Sequence, residues 1–153
     1  MDISGPFQKS LLGSTIWIII VDDFSRKKWS LFVNQKSKIG DATLSIIDKL
    51  IGLDKAPKFL RCDNAGENSK YLQELCIKKG IQLEFTAPNT PQQNGVAERA
   101  FAVLKNGAVA MLRGANLTNK WSGTLWAEAV NTKVHLHNRI PMSGEVQKNC
   151  SLE

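Results

Sequence analysis

The sequence predicts a mixed α/β domain, and three features predict it. A short β-branched run, Ile16-Trp17-Ile18-Ile19-Ile20-Val21, is bounded by turn formers and reads as a buried strand. Helix-like and strand-like spacings then alternate between residues 39 and 85. Two long stretches with helical spacing follow, at about 96–113 and 119–138. Strands first, then helix–strand–helix–strand, then two helices describe a sheet packed against helical layers.

Taken in order, the first strand signal lies between Gly13-Ser14 and Asp22-Asp23. Trp29 to Val33 reads as a second strand, joined to it through a tight Asp22-Asp23-Phe24-Ser25-Arg26 turn. Residues 39–53 place Ile39, Leu44, Ile47, Leu50 and Ile51 near helical spacing, and Pro57 blocks continuation. Residues 58–62 form a short strand that delivers Asp63 to its C-terminal end. A helix over 69–79 has Ser69 as N-cap and Gly80 as stop. Ile81 to Phe85 alternates apolar and polar residues, as a half-exposed strand does. Ala87 to Gly95 is rich in turn formers and reads as loop. The helix after it carries an apolar stripe of Ala97, Phe101, Leu104, Ala108 and Met111, with Glu98, Ala102 and Lys105 along the adjoining face. It ends near Gly114, and the last helix ends near Pro141. Residues 1–141 are expected to be one core and 142–153 a C-terminal tail.

With 153 residues, 42% apolar and 22% charged, the chain is one globular domain with a real core. Its longest apolar run is far short of a bilayer span, and no signal peptide is expected before Asp2, so no membrane partner is expected. The balance of 20 basic against 14 acidic residues, net +6, suits a polyanion, although a solvated basic face is the blander explanation. Cys62, Cys76 and Cys150 form no C-x-x-C pair, which argues for reduced thiols and against a disulfide framework. His135 and His137, two apart on a helix, point in different directions and make a zinc site with cysteines improbable.

Three acidic residues stand out: Asp2 in Asp2-Ile3-Ser4-Gly5-Pro6, Asp63 in Arg61-Cys62-Asp63-Asn64, and Glu98 in Asn94-Gly95-Val96-Ala97-Glu98-Arg99. Each has an ordinary structural use. Asp63-Asn64 after a strand is turn chemistry, as is Asp beside Gly-Pro, and Glu98 in a first helical turn complements the helix dipole. Together, two strand-borne aspartates and a helix-borne glutamate make a set of hard oxygen ligands suited to Mg²⁺ or Mn²⁺. Asp22 and Asp23 are rivals on charge. Lys105 lies on the same helix edge as Glu98, where it is either a phosphate contact or a solvated lysine.

Six motifs occur in the order seen in integrase cores: Asp2 to Pro6, Ile20-Val-Asp-Asp-Phe-Ser-Arg26, Leu60-Arg-Cys-Asp-Asn64, Gly66-Glu67, Pro91-Gln-Gln-Asn-Gly-Val-Ala-Glu-Arg99, and Trp126-Ala-Glu-Ala129. The chain resembles the integrase catalytic core of a copia-type retrotransposon polyprotein, one of the DDE transferases. The resemblance runs from about Asp2 to Pro141, and its most specific block is Pro91 to Arg99. It implies an RNase H-like fold, a mixed five-stranded sheet flanked by helices. It further implies that Asp2, Asp63 and Glu98 hold two Mg²⁺ or Mn²⁺ ions for 3′-end processing and strand transfer of retroelement DNA. Asn64, Asn94, Arg99 and Lys105 would contact DNA, Asp22 and Asp23 would belong to a hairpin, and no small-molecule cofactor is implied. The family's nuclear, chromatin-bound work, or a cytoplasmic particle, is the expected location.

The motif pattern departs from the family in places. Met1 directly precedes Asp2, so most of the first strand is expected to be missing. Ala65 stands where the family has Gly, Gly107 interrupts the catalytic helix, and Ala102 replaces a basic residue. No zinc-binding module before the core and no DNA-binding domain after it are expected. Two functions therefore stand side by side: a competent catalytic core, and an inactive retroelement remnant that keeps the fold and nucleic-acid binding. Residues 119–138 carry Trp121, Leu125, Trp126, Ala129, Val130 and Leu136, and the resemblance implies a homodimer through this region. The alternative is that both tryptophans cover the sheet.

Overall fold

The computed structural model describes residues 1–62, 69–85 and 95–140, with the backbone alone for Ser69, Asn119 and Lys120. The strands are β1 (Asp2–Ser4), β2 (Ile16–Val21), β3 (Lys28–Val33), β4 (Phe59–Cys62) and β5 (Gln82–Phe85). The helices are α1 (Ile39–Ile51), α2 (Ser69–Lys78), α3 (Gly95–Gly114), α4 (Asn119–Thr124) and α5 (Trp126–His137). Among the described residues no helix is long and apolar enough to cross a membrane.

β2 is apolar at every position because both of its faces are covered. Its even residues, Ile16, Ile18 and Ile20, pack with α1, α2, Leu60 and Cys62. Its odd residues, Trp17 and Ile19, pack under Ala100, Leu104 and Ala108 of α3 and Ala129, Val130 and Val134 of α5. Alanines at those helical positions let both helices lie close to the sheet and to each other. Each fully buried isoleucine contributes about 1.5–3 kcal/mol. The Trp17 ring lies 4.1 Å from the Phe101 ring, and its indole N–H donates to Ser30 Oγ at 3.0 Å.

β1, β2 and β3 form an antiparallel sheet in that order, and β4 and β5 form a parallel pair. The expected continuous five-stranded sheet is thus resolved as three strands and two. The reason is local: β1 has three residues, and the Met1 nitrogen, donating to the Arg61 carbonyl at 2.6 Å, joins its edge to β4.

Turn chemistry sets the ends of the elements. In the β2–β3 hairpin, Asp22 Oδ2 accepts from the Ser25 N–H and hydroxyl, Asp23 pairs with Arg26 at 2.8 Å, and Arg26 takes φ 57°. α1 stops well before Pro57: Asp54 adopts φ 55°, and the Asp54 and Lys55 N–H groups bond back to Ile51 and Leu50. Gly80, at φ 68°, closes α2 in the same way, with Ile81 bonded to the Cys76 carbonyl. The helix expected over 119–138 is two helices, broken at Leu125. There the Thr124 carbonyl accepts from the Leu11 N–H at 2.8 Å, from outside the helix.

Candidate active site

Asp2 pairs across the sheet with Ile19. Directly opposed residues share a face, so Asp2 stands on the face of Trp17 and Ile19, which α3 covers. Asp2 is half-buried, and its Oδ1 accepts the N–H of Ile3 at 2.8 Å. The Met1–Arg61 hydrogen bond brings the start of β1 beside the end of β4. β4 ends at Cys62, the residue before Asp63 in sequence.

Glu98 lies in the first turn of α3 and is exposed. Its charge there complements the positive end of the helix dipole. Arg99 is exposed beside it, and Lys105 is exposed two turns on, about 10 Å along the same edge. The core stripe of α3, with Ala97, Ala100, Leu104 and Ala108 buried, sets this orientation. Asp2 therefore lies on β1, and Glu98 and Lys105 on one exposed edge of α3, as the sequence places them, while Arg99 is exposed about 100° further round the helix. Asp63, Asn64 and Asn94 lie outside the described residues. Among the described residues, no group of three or more His, Cys, Asp or Glu side chains is gathered to hold a metal. Asp2 and Glu98 are hard oxygen donors on β1 and on the helix that packs over it, which suits a divalent cation once a third carboxylate is added.

The rival carboxylates are committed elsewhere. Asp22 holds the Ser25 end of the hairpin turn and Asp23 is paired with Arg26. His135 Nδ1 lies 2.9 Å from an Arg139 nitrogen, whereas the Nε2 of His137 is enclosed without a partner.

Some arrangements were not foreseen. The Asn138 side chain pairs with both backbone groups of Lys28, at 2.9 and 2.8 Å, and so acts as a strand partner at the start of β3. Gly107 receives the aliphatic stem of Lys133: a Cβ there would meet Lys133 Cε at 2.5 Å and Cδ at 2.8 Å. A lone glycine within a helical period was the signal for the second; nothing local announces the first.

No protein-family model matches the chain. The retrovirus-related Pol polyprotein from transposon TNT 1-94 of Nicotiana tabacum is 35% identical over 145 residues, 92% of this chain and 10% of that protein. That from transposon RE2 of Arabidopsis thaliana is 30% identical over 127 residues, 82% of this chain and 8% of that protein. The chain thus spans about a tenth of the length of these relatives. A chain from the cryoEM structure of the simian T-cell lymphotropic virus intasome in complex with PP2A regulatory subunit B56 gamma shares the fold. Its TM-score is 0.63 at 16% identity, over 99% of this chain and 58% of that one. The resemblance carried by the sequence motifs is borne out: over most of its length the chain is homologous to one segment of the retrotransposon Pol polyproteins.

Proposed function

We propose that this chain is the catalytic core of a DDE integrase, over residues 1–141, and that it carries out 3′-end processing and strand transfer of retroelement DNA. The reading rests on one placement above all: Asp2 on the sheet face that α3 covers, with Glu98 in the first turn of that helix. Homology to Pol polyproteins and a fold shared with an intasome chain support it. In this reading the two sheets are parts of one RNase H-like layer, with β1 between β2 and β4.

Asp2, Asp63 and Glu98 would hold two Mg²⁺ or Mn²⁺ ions, which when bound supply Lewis-acid stabilisation at a phosphodiester and acidify a bound water. The remaining work belongs to the chain. Glu98 is exposed, so a DNA phosphate reaches it without rearrangement of the core. Lys105 and Arg99 flank it with positive charge, and Asn64 and Asn94 complete the grip on the backbone. The partner is DNA, with no small-molecule cofactor, and the place of work is chromatin. The chain acts as a homodimer through the region of α4 and α5: Trp126 turns onto the sheet, whereas Trp121 is 49% exposed and Leu136 44% exposed.

A second reading has its own observation. Ala102, exposed on α3 one turn after Glu98, puts no positive charge on that edge, and this favours an inactive remnant that keeps the fold and nucleic-acid binding. A disintegration assay separates the two, with purified chain, branched DNA, Mn²⁺ and a Glu98→Gln control. Strand joining that disappears in the variant and in EDTA is the expected result. A folded, DNA-binding chain with no turnover selects the remnant.

A further inference from the structure

On the side of α3 away from Glu98, the end of α5 meets the start of β3, and two lysines and a histidine come together there. Lys28 is buried, 5% exposed, with its Nζ donating to the Arg26 carbonyl at 3.0 Å. His137 is half-buried with its Nε2 enclosed and unpartnered. Lys133 is half-buried and lies across Gly107. Burial, and then Lys28 and Lys133, push the His137 imidazole below its ordinary pKa. Burial, and then Arg26, do the same to Lys28. The ion pairs Arg26–Asp23, Arg61–Glu84 and Lys79–Asp48 lie elsewhere and take none of Lys28, Lys133 or His137. Like charges held together without a carboxylate are a cost to the free protein, and an arriving anion offsets it.

The cost is built in at a second place. Gly107 interrupts a 20-residue helix, where glycine is unfavourable, and what its missing side chain admits is the Lys133 stem. The position of the cluster gives the anion. Lys28 pairs with Val21, two residues beyond Ile19, the partner of Asp2, and shares its sheet face. Strand spacings put the Lys28 and Asp2 backbones on the order of 12 Å apart. Gly107 lies nine residues, or half a turn in projection, from Glu98, so Lys105 and Lys133 straddle α3.

We propose that Lys133, seated on Gly107 above Lys28 and His137, is a second contact for the DNA phosphate backbone, flanking the reacting phosphate. The proposal rests on the integrase reading and adds to it a contact on the far side of α3. Its test is anisotropy of a labelled DNA duplex against salt, for the parent chain, Lys133→Gln and Gly107→Ala. Gly107→Ala keeps every charge and displaces the Lys133 stem from Cγ outward, and the better helix propensity of alanine offsets that shift, so its melting temperature should not fall. Both variants should bind more weakly, each with the slope of log K against log salt reduced by about one. Parent-like slopes in both would overturn the contact, while the integrase reading would stand on Glu98→Gln and EDTA in the disintegration assay. Weakening in Lys133→Gln alone would overturn the seated site and leave a diffuse charge effect. A parent chain that does not bind DNA would sink this inference and the integrase reading together.

Discussion

His137 is enclosed on its Nε2 side, and burial together with Lys28 and Lys133 holds its imidazole below the ordinary pKa. In the unfolded chain the ring takes up its proton near about pH 6.5, so between that value and the lower folded one the unfolded state binds more protons. Stability from this group is therefore complete above about pH 6.5 and is lost as pH falls through the folded value. Urea denaturation at about pH 7.5 and about pH 5.5 should show a larger acid loss in the parent than in His137→Gln. Equal losses would mean that the ring titrates freely. At this scale the sequence was legible where local spacing sets position: Glu98 and Lys105, seven residues apart, share one exposed edge of α3. It was not legible where meaning comes from a distant neighbour. Gly107 reads as a flaw in a helix until Lys133 is seen lying on it, and Asn138 reads as a helix end until it pairs with Lys28, 110 positions away.

The break between α4 and α5 shows how tertiary contacts override a helical period. Residues 119–138 have helical spacing throughout, but the loop between β1 and β2 intervenes at Leu125. The Leu11 N–H takes the Thr124 carbonyl, the Trp126 indole donates to the Gln8 carbonyl at 2.8 Å, and Gly123 lets the Gln8 side chain close in. The Trp126 ring then packs against Phe7 at 4.9 Å and edge-on to Phe32 at 5.5 Å. Trp126→Ala should cost about 3 kcal/mol in urea denaturation, the low end for a large aromatic because the ring is half-buried. Trp126→Phe keeps the ring contacts and loses the hydrogen bond, so about 1 kcal/mol is expected. A cost for the alanine variant under about 0.5 kcal/mol would show that the loop does not depend on this ring. Elements with strong local patterns were readable, β2 from its short β-branched run between turn formers and α3 from its helical period. The break was not, since its cause sits more than a hundred residues upstream.

The molecule as a whole sets a sheet between two helical layers, with α1 and α2 on one face and α3 and α5 on the other. Order and layering were legible in the sequence; the grouping of the strands into a sheet of three and a sheet of two was not, because local pattern does not specify which strands pair. The layering also divides the aromatic residues of the last helices by role. Trp126 is spent on the sheet, so the two tryptophans do not share one function. Trp121 remains 49% exposed, with Leu117 nearby in sequence at 38%, and Leu11 bonds to the end of the same helix at 56%. Exposed apolar groups on and flanking α4 suit a self-complementary two-fold contact, in which the same patch serves both copies. The parent chain should therefore sediment at twice the monomer mass, and Trp121→Ala should shift it toward monomer, since a large aromatic at such a contact carries a disproportionate share of the affinity. A monomeric parent would remove the dimer, and a dimer that survives Trp121→Ala would place its interface on another face of the molecule.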